Sequence, residues 1–187
     1  VAVCLLHAYA HPENEQRVAE ILREELDIPV SASHEVLSEF REFERTATTV
    51  VAAYVTPAID GHLTRLTETA TEAGVPEPRV MQANGGIADS ETVSDNAVST
   101  TLSGPAAGVV GAAATAAEND AATTAADATT AQPSVVTFDM GGTSTDVSLV
   151  RDGTAERTTE ADIDGVPIRT PMVDVTTVGA GGGSIAW

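Results

Sequence analysis

Val135 to Val150 reads VVTFDMGGTSTDVSLV, and this stretch decides how the rest of the chain is read. Val135 to Asp139 is rich in β-branched side chains and ends on an acid, which predicts a strand. Met140-Gly141-Gly142-Thr143 predicts a tight turn, and Ser144 to Val150 alternates polar and apolar residues as a second strand does. Paired glycines let a backbone turn at little steric cost, and successive N–H groups there form a nest for an anion. Thr143 and Thr145 add hydroxyl donors. Asp139 before the turn and Asp146 after it can hold a hydrated Mg²⁺, which keeps most of its waters and takes one or two carboxylates. The chemistry suggested is a nucleotide phosphate bound with Mg²⁺. A plain hairpin would leave the flanking acids and the hydroxyls of Thr143, Ser144 and Thr145 without a purpose.

Two other phosphate motifs fail. A Walker A loop needs Lys followed by Ser or Thr and then a helix, and the chain contains no lysine. The dinucleotide fingerprint needs its glycines to open a helix, whereas Thr145 to Val150 has the alternation of a strand.

DMGGTSTDVSLV, preceded by LSGPAAGVVGA and followed by VPIRTPMVDVTTVGAGGGSIAW, resembles the hydantoinase A/5-oxoprolinase family. That family is similar to the acetate kinase, sugar kinase, heat-shock chaperone and actin group of ATPases. The resemblance runs from VAVCLLHAYAHPENE at the start to Trp187, except for Thr115 to Gln132. It implies an α/β fold of the actin-like ATPase (ribonuclease H-like) type with a phosphate-binding β-hairpin. DMGGTSTD would be the second of two phosphate loops. The first loop is expected before Val1 and more chain after Trp187, so the fold is expected to be incomplete and the chain an internal fragment. Residues 1–50 would end the family's N-terminal region and residues 51–187 would begin its hydantoinase A domain, with 115–132 a flexible acidic insertion.

The resemblance also implies an activity: ATP-dependent hydrolysis of a cyclic amide such as 5-oxoproline or a hydantoin. An amide is a poor electrophile, and phosphorylating its oxygen would open the ring carbon to water. In that scheme ATP and Mg²⁺ are the cofactors and Asp139 positions the metal. Asp146 holds the metal or a water, and the Gly141-Gly142-Thr143 backbone stabilises phosphate charge. A hydantoinase B-type subunit is the implied partner. An acetone- or acetophenone-carboxylase-like ATP-binding subunit and a non-catalytic fragment stay open as alternatives.

Charge bounds the partners. Nine basic residues, all arginine, face 28 acids, for a formal net charge of −19 over 187 residues. So acidic a surface repels nucleic acid and anionic membranes. A hydrophobic content of 42% argues against a disordered acidic tail. A folded, halophilic protein, in which salt screens the self-repulsion, fits better. Cys4 is the single cysteine, so no internal disulfide forms, and its apolar setting predicts a buried residue. No apolar run approaches the roughly 18 residues of a membrane span, and no signal-peptide pattern opens the chain. A soluble, cytoplasmic protein is expected.

Along the chain, Val1 to Leu6 predicts a central strand, Pro12 to Leu26 a helix with Val18, Ile21, Leu22 and Leu26 on one face, and Ile28 to Ala32 a strand. Strand, helix and strand make a βαβ unit. His7 and His11 straddle a strand end and Pro12, which makes a shared metal face improbable. Ser33 to Gly74 predicts helices interrupted at Pro57. Arg41, Glu44 and Arg45 lie in a charged run that reads as surface ion pairs or, alternatively, as substrate contacts.

Arg79 to Ala83 predicts a strand, Asn84-Gly85-Gly86 a turn in which Asn84 either makes an Asx turn or contacts the nucleotide or substrate, and Val98 to Leu102 a strand. Ser103-Gly104-Pro105 predicts a helix start whose free N–H groups suit an anion. In the ATPases that the family is similar to, a helix start lies near the phosphates, and that resemblance makes Ser103, Gly104 and Gly108 phosphate-site candidates. The helix is expected to end at Ala117, followed by low-complexity ENDAATTAADATTAQ. Gly179-Ala180-Gly181-Gly182-Gly183-Ser184 implies positive φ or a close backbone approach, which makes Gly181, Gly182 and Gly183 further binding candidates.

Overall fold

A computed structural model describes residues 1–123, 133–163 and 165–185. The chain forms two compact units. One contains Val1–Val80, Ile87–Thr101 and Thr159–Thr170; the other contains Met81–Gly86, Leu102–Thr158 and Pro171–Trp187.

The first unit opens with the expected βαβ element. Strand β1 (Ala2–Val3), helix α1 (Glu13–Glu25) and strand β2 (Ser31–Ala32) bring the strands together in parallel, Ala2 opposite Ser31 and Val3 opposite Ala32. Val3, Ala19, Val30 and Ala32 form its core, with Leu22 packed against them. The buried face of α1 is Glu15 and Ala19, and Val18, Ile21 and Leu26 stay exposed. The strand is shorter than the apolar run suggested. The chain leaves it in turns, with His7 at φ 62°, and Leu5 and Leu6 face outward. Cys4 is half-buried and accepts a bond from Thr46 Oγ1 at 3.0 Å.

Helix α2 (Ser33–Val36) leads to the long α3 (Glu42–Glu72), which runs through Pro57 without a break. Threonines on its buried side return their protons to the preceding turn, Thr48 to Glu44 O and Thr49 to Arg45 O, both at 2.7 Å. That bond is what lets a hydroxyl be buried in a helix at low cost. Arg45 is fully buried. Its guanidinium donates to Leu5 O (2.8 Å) and Glu39 O (3.1 Å) and lies 5.5 Å from the Tyr9 ring centre. Arg45 is therefore not the expected surface ion pair: among the described residues no salt bridge involves it, and it ties α3 to the end of β1 through backbone carbonyls.

Strands β3 (Val80–Met81) and β4 (Ile87–Ala88) flank the Asn84 turn, where Gly86 N donates to Asn84 Oδ1 at 2.7 Å, the predicted Asx geometry. Asp89 caps α4 (Ser90–Asp95) by accepting from Thr92 N at 2.9 Å. Ala97–Thr100 is a 3₁₀ turn and not the expected strand, because Val98 is needed in a core with Ala52 and Ile168.

In the second unit, α5 (Ser103–Thr123) runs past the expected end at Ala117, consistent with alanine's high helix propensity. Residues 124–132 of the expected insertion lie outside the described residues. Strands β5 (Val135–Met140) and β6 (Thr145–Arg151) form the hairpin, extended by β7 (Thr154–Ala155) alongside β6. After β8 (Arg157–Thr158) the chain returns to the first unit for the hairpin of β9 (Ala161–Ile163) and β10 (Val166–Ile168), then supplies β11 (Met172–Val173) and β12 (Thr176–Val178) to the second.

The main sheet is antiparallel in the order β12-β6-β5. One face packs on α5, Val150 against Ala106 and Val109, and Val173 of β11 joins the same core. The other carries Val136, Phe138 and Met140 exposed. The resulting architecture is mixed α/β.

Candidate functional site

The hairpin register sets Asp139 directly opposite Asp146. Directly opposed residues of an antiparallel pair share a face, with Cβ atoms about 4.5–5.5 Å apart, and like charges so placed repel. Among the described residues no ion pair involves either acid. Two carboxylates on one face of a hairpin are a donor set suited to Mg²⁺, which takes one or two carboxylates.

Neighbouring elements fix the pair. Thr177 Oγ1 on β12 donates to Asp146 Oδ1 at 2.6 Å. On α5, a Cβ at Gly108 would stand 3.2 Å from Asp139 Oδ2, so the absence of a side chain there lets the helix pass close to the carboxylate.

The turn is closed by Gly141 N donating to Ser144 O at 2.9 Å. Gly141, Gly142 and Thr143 are exposed, and among the described residues the amides of Gly142 and Thr143 donate to no partner. These are the groups an anion would meet.

The glycine run after β12 lies against this turn. Gly182 N donates to Gly141 O at 2.9 Å and Gly183 N to Gly142 O at 2.8 Å, a ladder that occupies the turn's carbonyls. A Cβ at Gly181 would come within 2.5 Å of Gly141 O, and one at Gly183 within 2.8 Å of Gly142 O. None of Gly179, Gly181, Gly182 and Gly183 has a positive φ. Close backbone approach, and not a left-handed conformation, is therefore what requires glycine at 181 and 183. Thr145, buried beneath, donates to Ala180 O at 2.7 Å, so its hydroxyl anchors the second loop. Ser103 and Gly104 sit in the first turn of α5, where a Cβ at Gly104 would have no neighbour within 4 Å.

The structure thus brings Asp139, Asp146, Gly108, the turn and Gly181–Gly183 into one place in the second unit. Thr177 was not singled out in the sequence. The signal available for it was its place in a Thr-Thr-Val strand, where alternation puts one hydroxyl on the aspartate face.

Known proteins share this arrangement of sequence. The family model described as hydantoinase/oxoprolinase matches residues 45–187. The chain belongs to the hydantoinase/oxoprolinase family. It is 36% identical over 192 residues to caprolactamase subunit alpha of Pseudomonas jessenii, covering 100% of this chain and 25% of that protein. A crystal structure of the ATP-dependent caprolactamase from that organism superposes with a TM-score of 0.75 at 33% identity, over 100% of this chain and 26% of that one. To the 5-oxoprolinase of Saccharomyces cerevisiae it is 36% identical over 185 residues, 99% of this chain and 14% of that enzyme. The nucleotide-free structure of acetone carboxylase, studied for ATP-dependent acetone carboxylation, gives a TM-score of 0.78 at 30% identity over 96% of this chain and 24% of the other. This hydantoinase/oxoprolinase chain therefore spans between 14% and 26% of the length of these relatives. Among the described residues no helix is long and apolar enough to cross a membrane.

Proposed function

We propose that this chain supplies one phosphate- and Mg²⁺-binding hairpin of an actin-like ATPase fold, in a cytoplasmic enzyme that uses ATP to open a cyclic amide. The observation that carries the reading is the opposed Asp139–Asp146 pair beside a turn whose Gly142 and Thr143 amides are unpartnered. Asp139 and Asp146 hold the metal or one of its waters. The amides of Gly142 and Thr143 stabilise phosphate charge as fixed donors, which act without reorganising, while the Gly141 amide closes the turn on Ser144 O. Gly181 to Gly183 hold that turn in place, and Thr145 holds them through Ala180. The first turn of α5, Ser103 and Gly104, offers further N–H groups for an anion.

ATP, when bound with Mg²⁺, supplies the phosphoryl group that activates the amide oxygen. Residues 1–50 are read as the end of the family's N-terminal region and 51–187 as the start of the hydantoinase A domain. A hydantoinase B-type subunit is the expected partner, in keeping with relatives that are themselves named as subunits. The likeness to acetone carboxylase favours one second reading, activation of a ketone for carboxylation.

Phosphate release from Mg-ATP, followed with 5-oxoproline, a hydantoin, caprolactam, and acetone plus bicarbonate, separates these readings. Release stimulated by a cyclic amide supports hydrolysis. Release stimulated only by acetone with bicarbonate replaces it with carboxylation.

A further inference from the structure

The start of α3 and the β9–β10 hairpin, both in the first unit, border an open cavity of about 350 Å³ lined by Arg41, Glu44, Glu160, Asp162, Ile168 and Arg169. Its size reaches the lower end of small-molecule sites, roughly 300 Å³ and above. Arg169 is buried, with one guanidinium nitrogen 3.0 Å from Glu39 Oε2 and the other on Glu160. Its backbone N donates to Thr48 Oγ1 at 3.0 Å, which fastens the end of β10 to α3.

Arg41 is different. Its side chain is 45% exposed, and its Nη1 lies 3.5 Å from Glu44 and 3.7 Å from Glu160. Charge-assisted bonds close to about 2.7–2.9 Å, so these contacts leave the planar fork able to take a carboxylate through two parallel bonds. Glu44 and Asp162 face the same cavity as acids, and Pro167 and Ile168 give it an apolar floor. Asp162 Oδ1 is steadied by the amide of Gly165 at 2.7 Å. A half-exposed arginine held only in two long ion pairs, acids beside it and an apolar surface between them are the complement of a ligand carrying both charges on a short aliphatic frame.

We propose that this cavity binds a small zwitterion, a free amino acid, with its carboxylate on Arg41 and its ammonium on Glu44 and Asp162. Hydrolysis of any lactam leaves an amine and a carboxylate on one chain, so the ring-opened product of the proposed reaction belongs to the class the cavity fits. The site itself involves no residue of the phosphate hairpin. Its test therefore contains no nucleotide and stands or falls apart from the ATP reading.

Calorimetric titration of the chain with glutamate, 4-aminobutanoate and 6-aminohexanoate, against hexanoate and hexylamine, decides the matter. The expected result is saturable one-to-one binding of an amino acid, at least tenfold tighter than either singly charged analogue. Arg41→Gln and Glu44→Gln should each weaken it at least tenfold, and Arg17→Gln, at an exposed pair on α1, should leave it unchanged. Absence of saturable binding by a chain that circular dichroism shows folded would overturn the proposal. So would equal binding of hexanoate, or full affinity in a folded Arg41→Gln variant. If that variant does not fold, Glu44→Gln and the analogue comparison decide.

Discussion

Gly181 and Gly104 are both glycines of the candidate site, and a single methyl group separates their roles. A Cβ at 181 would sit 2.5 Å from Gly141 O and 2.9 Å from Ser144 N, backbone atoms that cannot swing aside; one at 104 would meet nothing within 4 Å. Gly181→Ala should therefore cost about 1–3 kcal/mol, as overpacking does. Gly104→Ala, in a helix, should be neutral or gain up to about 1 kcal/mol. Chemical denaturation of the two variants checks the contrast, and equal stabilities would mean the loops are not packed as described.

Glu15 supplies a pH-dependent case. It is fully buried, and its carboxylate accepts from Leu5 N (2.6 Å), His34 N (2.8 Å) and the Ser33 hydroxyl, with His34 Nδ1 also at 2.8 Å. Burial pushes its pKa up, but the bonds from Leu5, His34 and Ser33 outweigh that and hold it below the ordinary glutamate value. A proton thus binds the folded state more weakly than the unfolded chain. The stabilisation is complete above the unfolded value near 4.5 and is lost as pH falls through the lower folded value. Glu15→Gln should cost about 2–3 kcal/mol at neutral pH. Thermal melts should show that deficit constant down to about pH 5 and shrinking below it. A deficit independent of pH through the acid range would remove the carboxylate's charge from the account.

At the scale of elements, α3 shows what sequence pattern misses. Pro57 lacks the N–H that would bond Ala53 O, which predicts a break, yet the helix continues because its buried side carries on from Ala52 to Leu63 and Ala70. The helix is held by packing against a local preference. Pro57→Ala, at an exposed position, should therefore stabilise the chain by about 1–3 kcal/mol in equilibrium unfolding. A loss of stability would mean that the helix is shaped around the proline.

The hairpin was legible for the opposite reason. Its strands, turn and acids are contiguous, so alternation and one turn fix the Asp139–Asp146 pairing. The parallel βαβ opening was legible from the same kind of pattern. The ladder from Gly182 and Gly183 onto Gly141 and Gly142 was not, because it joins segments distant in sequence and no local periodicity reports it. The strand expected at Val98 became a 3₁₀ turn because tertiary burial, and not β-propensity, placed that side chain.

For the molecule as a whole, a formal net charge of −19 is the dominant long-range term. Raising ionic strength from 0.1 M to 1 M shortens the Debye length from about 10 Å to about 3 Å and removes most repulsion between exposed acids. The midpoint of thermal unfolding should rise over that range, and a flat or falling midpoint would show that self-repulsion does not limit stability.

The opposed aspartates and the open turn beside them form the proposed place for phosphate with Mg²⁺. Isothermal calorimetry of ATP into the chain, with Mg²⁺ and with excess chelator, tests it most directly. Saturable binding that requires Mg²⁺ and falls at least tenfold in Asp139→Asn is the predicted result. A chain folded by circular dichroism that binds no Mg-ATP, or binds it equally well as Asp139→Asn, would contradict the assignment.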